Sequence, residues 1–87
     1  MEKSSYKTTL KKSAFKELES VPRAYIKNII RTIEELSEEP RPRGCEKLIG
    51  KELYRVRIGK YRVIYSIDDE NQIIGIIKIG HRKDIYR

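Results

Sequence analysis

Three arginines alternate with apolar residues in two short runs. Arg55 and Arg57 lie in Leu53-Tyr-Arg-Val-Arg-Ile58, and Arg62 lies in Tyr61-Arg-Val-Ile-Tyr65. Further on, His81, Arg82, Lys83 and Tyr86 crowd the last residues. Arginine is suited to bidentate phosphate recognition. Tyrosine can stack a base, and histidine exchanges a proton near neutral pH. These are the parts of a metal-free RNA cleavage. One group takes the proton of the ribose 2′-hydroxyl, arginines hold the crowded phosphorus, and an acid protonates the leaving oxygen. DNA lacks the 2′-hydroxyl, so this chemistry selects RNA. Each residue has a plainer reading on its own. His81 can be a loop residue, Arg82 and Lys83 a solvated tail, and Tyr54, Tyr61 and Tyr65 core-facing. Their co-location carries the functional reading.

A strand pair must position the arginines. Apolar and basic residues alternate with a period of two from Leu53 to Ile67, which is a strand pattern. Gly59-Lys60 between the runs fits a two-residue type II′ hairpin. That turn sets Ile58 against Tyr61, Arg57 against Arg62 and Val56 against Val63. Tyr54, Val56, Ile58, Tyr61, Val63 and Tyr65 then share one face, and Arg55, Arg57 and Arg62 the other. Like charges directly opposite destabilise a strand pair, so this arrangement implies an anion between them. A second turn at Asp68-Asp-Glu-Asn71, with Asn71 tolerating a left-handed backbone, leads to a last strand apolar on both faces and therefore interior. With an even loop, Ile67 faces Gln72 and Arg62 faces Ile77; an odd loop would invert the placement that follows. Ile73, Ile77, Ile79 and His81 then fall on the arginine face, with Ile74, Ile76 and Lys78 on the other.

The remaining chain supplies the support. Ser4–Leu10, with Thr8 and Thr9, is expected as an edge strand beside the last one. Ser13–Ser20 reads as a helix that Ser13 could cap, with Ala14 and Leu18 inward. Pro22 restarts a second helix to about Ser37, with Ile26, Ile29, Ile30, Ile33 and Leu36 at helical steps and Lys27, Arg31, Glu34 and Glu35 facing away. Glu39-Pro-Arg-Pro-Arg-Gly44 is an extended loop that adds Arg41 and Arg43 to the basic surface, and Lys47–Lys51 continues as loop. The expected class is α+β: an N-terminal strand, a helical hairpin on one face of the sheet, and an antiparallel three-strand meander.

The 87 residues imply one domain, and the net charge of +7 implies an acidic partner such as nucleic acid or an acidic protein. The single cysteine, Cys45, forms no internal disulfide and has no ligand spacing around it, so the default location is cytoplasmic. No leader or membrane span is expected. Neither a Gly-rich phosphate loop nor a paired-carboxylate or metal constellation is present, and no cofactor is expected.

Leu53-Tyr-Arg-Val-Arg-Ile58, Gly59-Lys-Tyr-Arg-Val-Ile-Tyr65 and Gly80-His-Arg-Lys-Asp-Ile-Tyr86 resemble the RelE-type toxins of the RelE/ParE toxin–antitoxin superfamily, with a weaker echo in Ser13-Ala-Phe-Lys-Glu-Leu18. The resemblance covers essentially the whole chain. It implies ribosome-dependent cleavage of mRNA in the A site by metal-free 2′-hydroxyl attack, and a cognate antitoxin with an acidic or amphipathic segment. It matches Arg55, Arg57, Arg62, Arg82 and Tyr86 to functional positions of the family; with the residue reading above, Arg57, Arg62, His81, Arg82 and Tyr86 are expected in catalysis, and Arg55, Arg41, Arg43 and Lys83 in RNA binding. Arg55 and Arg57 stand where members of the family have lysines. Arginine stays charged at any usable pH and cannot take a proton, so His81 is the expected base. Two other readings are a ParE-like toxin that inhibits gyrase without being an enzyme, and an inactive basic RNA- or protein-binding module.

Overall fold

In the computed structural model, residues 5–81 are described. The order is β1 (Lys7–Leu10), α1 (Lys12–Glu19), α2 (Arg23–Glu38), β2 (Glu46–Lys47), β3 (Leu53–Ile58), β4 (Tyr61–Asp68) and β5 (Ile73–His81). The strands form one sheet in the order β1-β5-β4-β3-β2. β1 is the expected edge strand, parallel to β5, and β5 is interior. β2 lies where loop was expected. It is only two residues long and pairs antiparallel to β3, Glu46 opposite Arg55 and Lys47 opposite Tyr54.

The core forms between one sheet face and the helices. Val56, Val63, Tyr65, Ile74, Ile76 and Ile79 meet Ala14, Val21, Ile29 and Leu36. Ser13 does not cap α1, since the helix begins one residue earlier and its N-cap is Lys11. Ile30 was expected on the apolar stripe of α2 but is 41% exposed, because Ile29 takes the core position. Tyr65 is fully buried and its hydroxyl donates to the Pro40 carbonyl at 2.7 Å, which ties the Pro-rich loop to the sheet. Burial raises the Tyr65 pKa, so this hydroxyl keeps its proton.

The β3–β4 hairpin has the expected register, from Leu53 opposite Ser66 to Ile58 opposite Tyr61, with Arg57 opposite Arg62. Gly59 takes φ +60, which suits the first position of a II′ turn. The β4–β5 ladder differs from expectation. The positive φ falls on Gln72 and not on Asn71, and Ile67 faces Ile74. The register then shifts: Tyr65 pairs with Ile76, but Ile64 pairs with Lys78, leaving Ile77 as the extra residue of a bulge. A bulge inverts side-chain parity beyond it. Lys78 therefore joins the arginine face opposite Ile64, Arg62 faces Gly80, and Ile79 enters the core opposite Val63. His81 pairs with Tyr61 and so lies on the helix side of the sheet.

Beyond the end of β1, the edge of β5 is covered by α1. Glu17 accepts the Ile79 N–H at 2.9 Å and pairs with Lys78 Nζ at 3.1 Å. The strand edge thus ends on a carboxylate of its own chain. Among the described residues no helix is long and apolar enough to cross a membrane.

Candidate functional site

The hairpin places Arg55, Arg57 and Arg62 on the sheet face away from the helices. Two-residue spacing along β3 aligns Arg55 and Arg57, and the cross-strand register brings Arg62 against Arg57. Their environments differ. Arg57 is exposed, Arg55 is half-buried, and Arg62 is 3% exposed. Arg62 is thereby held in place at the base of the cluster, while Arg57 reaches into solvent. Arg43 belongs with them: it lines two clefts together with Arg57, one of about 490 Å³ against Leu36 and Val56 of the helix side and one of about 440 Å³ against Gly44 and Glu46.

Sequence reading missed Glu46. β2 carries it to the register position opposite Arg55, and opposite residues share a face. Its carboxylate accepts from the Arg55 guanidinium, including Nε at 3.2 Å. The Arg55 hydrogen bond and charge, and then the charges of Arg57 and Arg62, hold Glu46 below the usual carboxylate range. One carboxylate thus sits among three guanidinium groups. The available signal was that Glu46 is the single acidic residue between Arg41 and Lys51; pairing with β3 is what gives it a place.

Two of the expected residues lie elsewhere. Arg41 forks onto Asp69 at 2.9 and 3.3 Å and lies over the Tyr54 ring, 5.3 Å from its centroid. Tyr54 is on the helix side, so Arg41 is apart from the arginine face. Asp69, expected as a mere turn residue, is an anchor: it also accepts from the Tyr6 hydroxyl at 2.7 Å, and these two donors keep its pKa low. His81 is the second displaced residue. Its ring meets Tyr61 edge-on at 5.6 Å, and Tyr61 in turn contacts Tyr25 of α2 at 5.3 Å. His81 also lines a cleft of about 290 Å³ with Glu17, Ser20 and Lys78. The bulge at Ile77 is the physical reason for its move. Arg82, Lys83 and Tyr86 lie outside the described residues.

A crowded, partly buried set of cations around one carboxylate binds anions and can move a proton at the carboxylate. Comparison with known proteins places the chain in a class. The family model described as ParE toxin of type II toxin-antitoxin system, parDE, matches residues 8–86. The RelE1 protein of Methanocaldococcus jannaschii is 35% identical over 86 residues, covering 94% of this chain and 96% of that one. Among solved structures, the archaeal RelE–RelB complex from Pyrococcus horikoshii has a chain 36% identical, with TM-score 0.81 over 90% of this chain and 96% of that one. The RelBE2 toxin–antitoxin complex from Mycobacterium tuberculosis has one 27% identical, with TM-score 0.80 over 90% and 99%. The fold and the match define a toxin of a type II toxin–antitoxin system. The chain belongs to the RelE/ParE superfamily and is of RelE type.

Proposed function

We propose that this toxin is a ribosome-dependent endoribonuclease that cuts mRNA in the A site. The supporting observation is the Arg57–Arg62 pair on the sheet face away from the helices, Arg57 exposed and Arg62 buried at its base, with Glu46 held by Arg55 beside it. Arg57 and Arg62 hold the scissile phosphate. The 2′-oxygen attacks phosphorus, the bond to the 5′-oxygen breaks, and a 2′,3′-cyclic phosphate and a 5′-hydroxyl result. Glu46 takes the 2′-proton, and an acid returns one to the leaving oxygen. In the free protein Glu46 is a weak base because Arg55, Arg57 and Arg62 stabilise its charge. An incoming phosphate takes up those guanidinium groups and adds negative charge, which raises the carboxylate pKa where basicity is needed. By the family resemblance, Arg82 adds a further phosphate ligand and Tyr86 orients or stacks a base.

The same face fits the partner. Solved relatives are complexes of RelE with RelB. By the same token the antitoxin here carries carboxylates that pair with the arginines and apolar side chains that settle on Ile64 and Ile73. These two half-buried residues lie on that face. This is a cytoplasmic system. The ParE name of the matching family model favours a second reading, gyrase inhibition without RNA cleavage.

Inducing the protein and mapping mRNA ends separates the two. Cuts within translated transcripts, absent from untranslated copies, support the nuclease. Intact mRNA with an SOS response supports the gyrase reading.

A further inference from the structure

The N-terminal ends of both helices, and the cation row along α2, carry charges that work against helix stability. A helix N-terminus carries partial positive charge and prefers acidic residues, while its C-terminus prefers basic ones. Neither helix has an acidic residue in its first turn, and α2 has no basic residue in its last, whereas α1 has Lys16 there. α1 opens on Lys12 after Lys11, and α2 opens on Arg23. Side chains four residues apart lie on one helix face. Arg23, Lys27 and Arg31 follow that spacing along α2, as Lys12 and Lys16 do along α1, and all five are exposed. Like charges at this spacing repel. Among the described residues, no carboxylate lies within ion-pairing distance of any of the five. The α2 ridge ends where Glu34 and Glu35 follow Arg31.

We propose that Arg23, Lys27 and Arg31 form a second phosphate-backbone contact, on the layer opposite the arginine face, which grips folded RNA on the far side of the protein from the strand to be cut. The cations stand about 6 Å apart along the helix axis, a spacing that suits successive phosphates of one strand. The positive end of the helix dipole adds to them. A regular row of like charges reads backbone and not sequence. The inference rests on the protein acting on RNA, but not on which residues do the cutting.

Anisotropy titrations of a 2′-O-methylated RNA hairpin, which cannot be cleaved, test it across a range of KCl. The variant Arg23→Gln/Lys27→Gln/Arg31→Gln should lose roughly two to three units from the slope of log affinity against log salt, at about 0.7–0.9 per phosphate contact. Its melting temperature should equal or exceed wild type, since repulsion is removed, and its single-turnover cleavage of mRNA on saturating programmed ribosomes should stay within a fewfold. An unchanged slope in a folded variant overturns the proposal. So does a variant whose antitoxin affinity falls while its RNA slope does not, which would assign the ridge to a protein partner. Wild-type binding with a ridge-dependent slope and no cleavage on programmed ribosomes would refute the nuclease while supporting the ridge.

Discussion

Arg57 and Arg62 face each other across a non-covalent strand pair, and neither position favours the empty fold. Truncation of exposed Arg57 to Ala should leave the melting temperature unchanged or slightly higher, while cleavage on programmed ribosomes falls about 10²–10³-fold, the usual loss when one charge-stabilising donor is removed. Buried Arg62 calls for a gentler change. Arg62→Lys keeps charge and most volume but loses the planar fork, so cleavage should drop while the melt stays near wild type. A folded variant that keeps full activity would remove that residue from the phosphate site. The proton acceptor has its own signature. Glu46→Gln should cost about 10²–10⁴-fold in single-turnover rate, whereas His81→Gln should stay within a fewfold. Glu46 must be ionised to act, and its pKa in the free protein is lowered by Arg55, Arg57 and Arg62. kcat/KM should therefore be flat through the imidazole range and fall only as pH drops below the ordinary carboxylate range. An inflection near about pH 6.5 that disappears in His81→Gln would transfer the role to His81.

At the scale of elements, two joins hold the site in place, and neither is part of it. One is Glu17, through which α1 closes the β5 edge. The other is Asp69, which ties the β4–β5 turn to Tyr6 and to Arg41 of the loop after α2. Arg41 and Tyr6 depress the Asp69 pKa in the folded protein. Stability from a depressed carboxylate is present above the unfolded pKa and is lost as pH falls through the folded one. Asp69→Asn should therefore melt lower than wild type at neutral pH, and the gap should close on acidification through the carboxylate range. Because both partners are about half exposed, added salt should also narrow it. A gap that persists at low pH would show that Asp69 acts through packing and not charge. The bulge at Ile77 is a feature of this same scale, since one extra residue sends Ile79 to the core and His81 to the helix side.

For the whole molecule, a net charge of +7 gives a long-range attraction to acidic surfaces. Capture of an acidic antitoxin segment should accelerate at low salt, because screening acts over about 10 Å at 0.1 M. Stopped-flow mixing at several ionic strengths checks this, and an association rate indifferent to salt would argue for apolar docking alone. The apolar share of that surface is smaller than the alternation of β5 implies, since Ile79 is 1% exposed within the core.

Local chemistry was enough for much of this. The period-two alternation and the Gly59-Lys60 turn determine the β3–β4 register, because a two-residue turn leaves no freedom in pairing. The helical stripes of α1 and α2 and the double-sided apolarity of β5 likewise mark the helical layer and the interior strand. The position of Arg57 against Arg62 was thus legible from residues next to one another in the chain. The position of His81 was not, since parity holds only along an unbroken ladder, and nothing local in Ile76-Ile77-Lys78 announces a bulge. The bulge instead suits long-range partners: the buried places of Ile76 and Ile79, and Glu17 at the Ile79 N–H. Glu46 followed the same rule. Its loop has no periodic signal, and only pairing with a strand that forms later in the chain sets its carboxylate among the arginines.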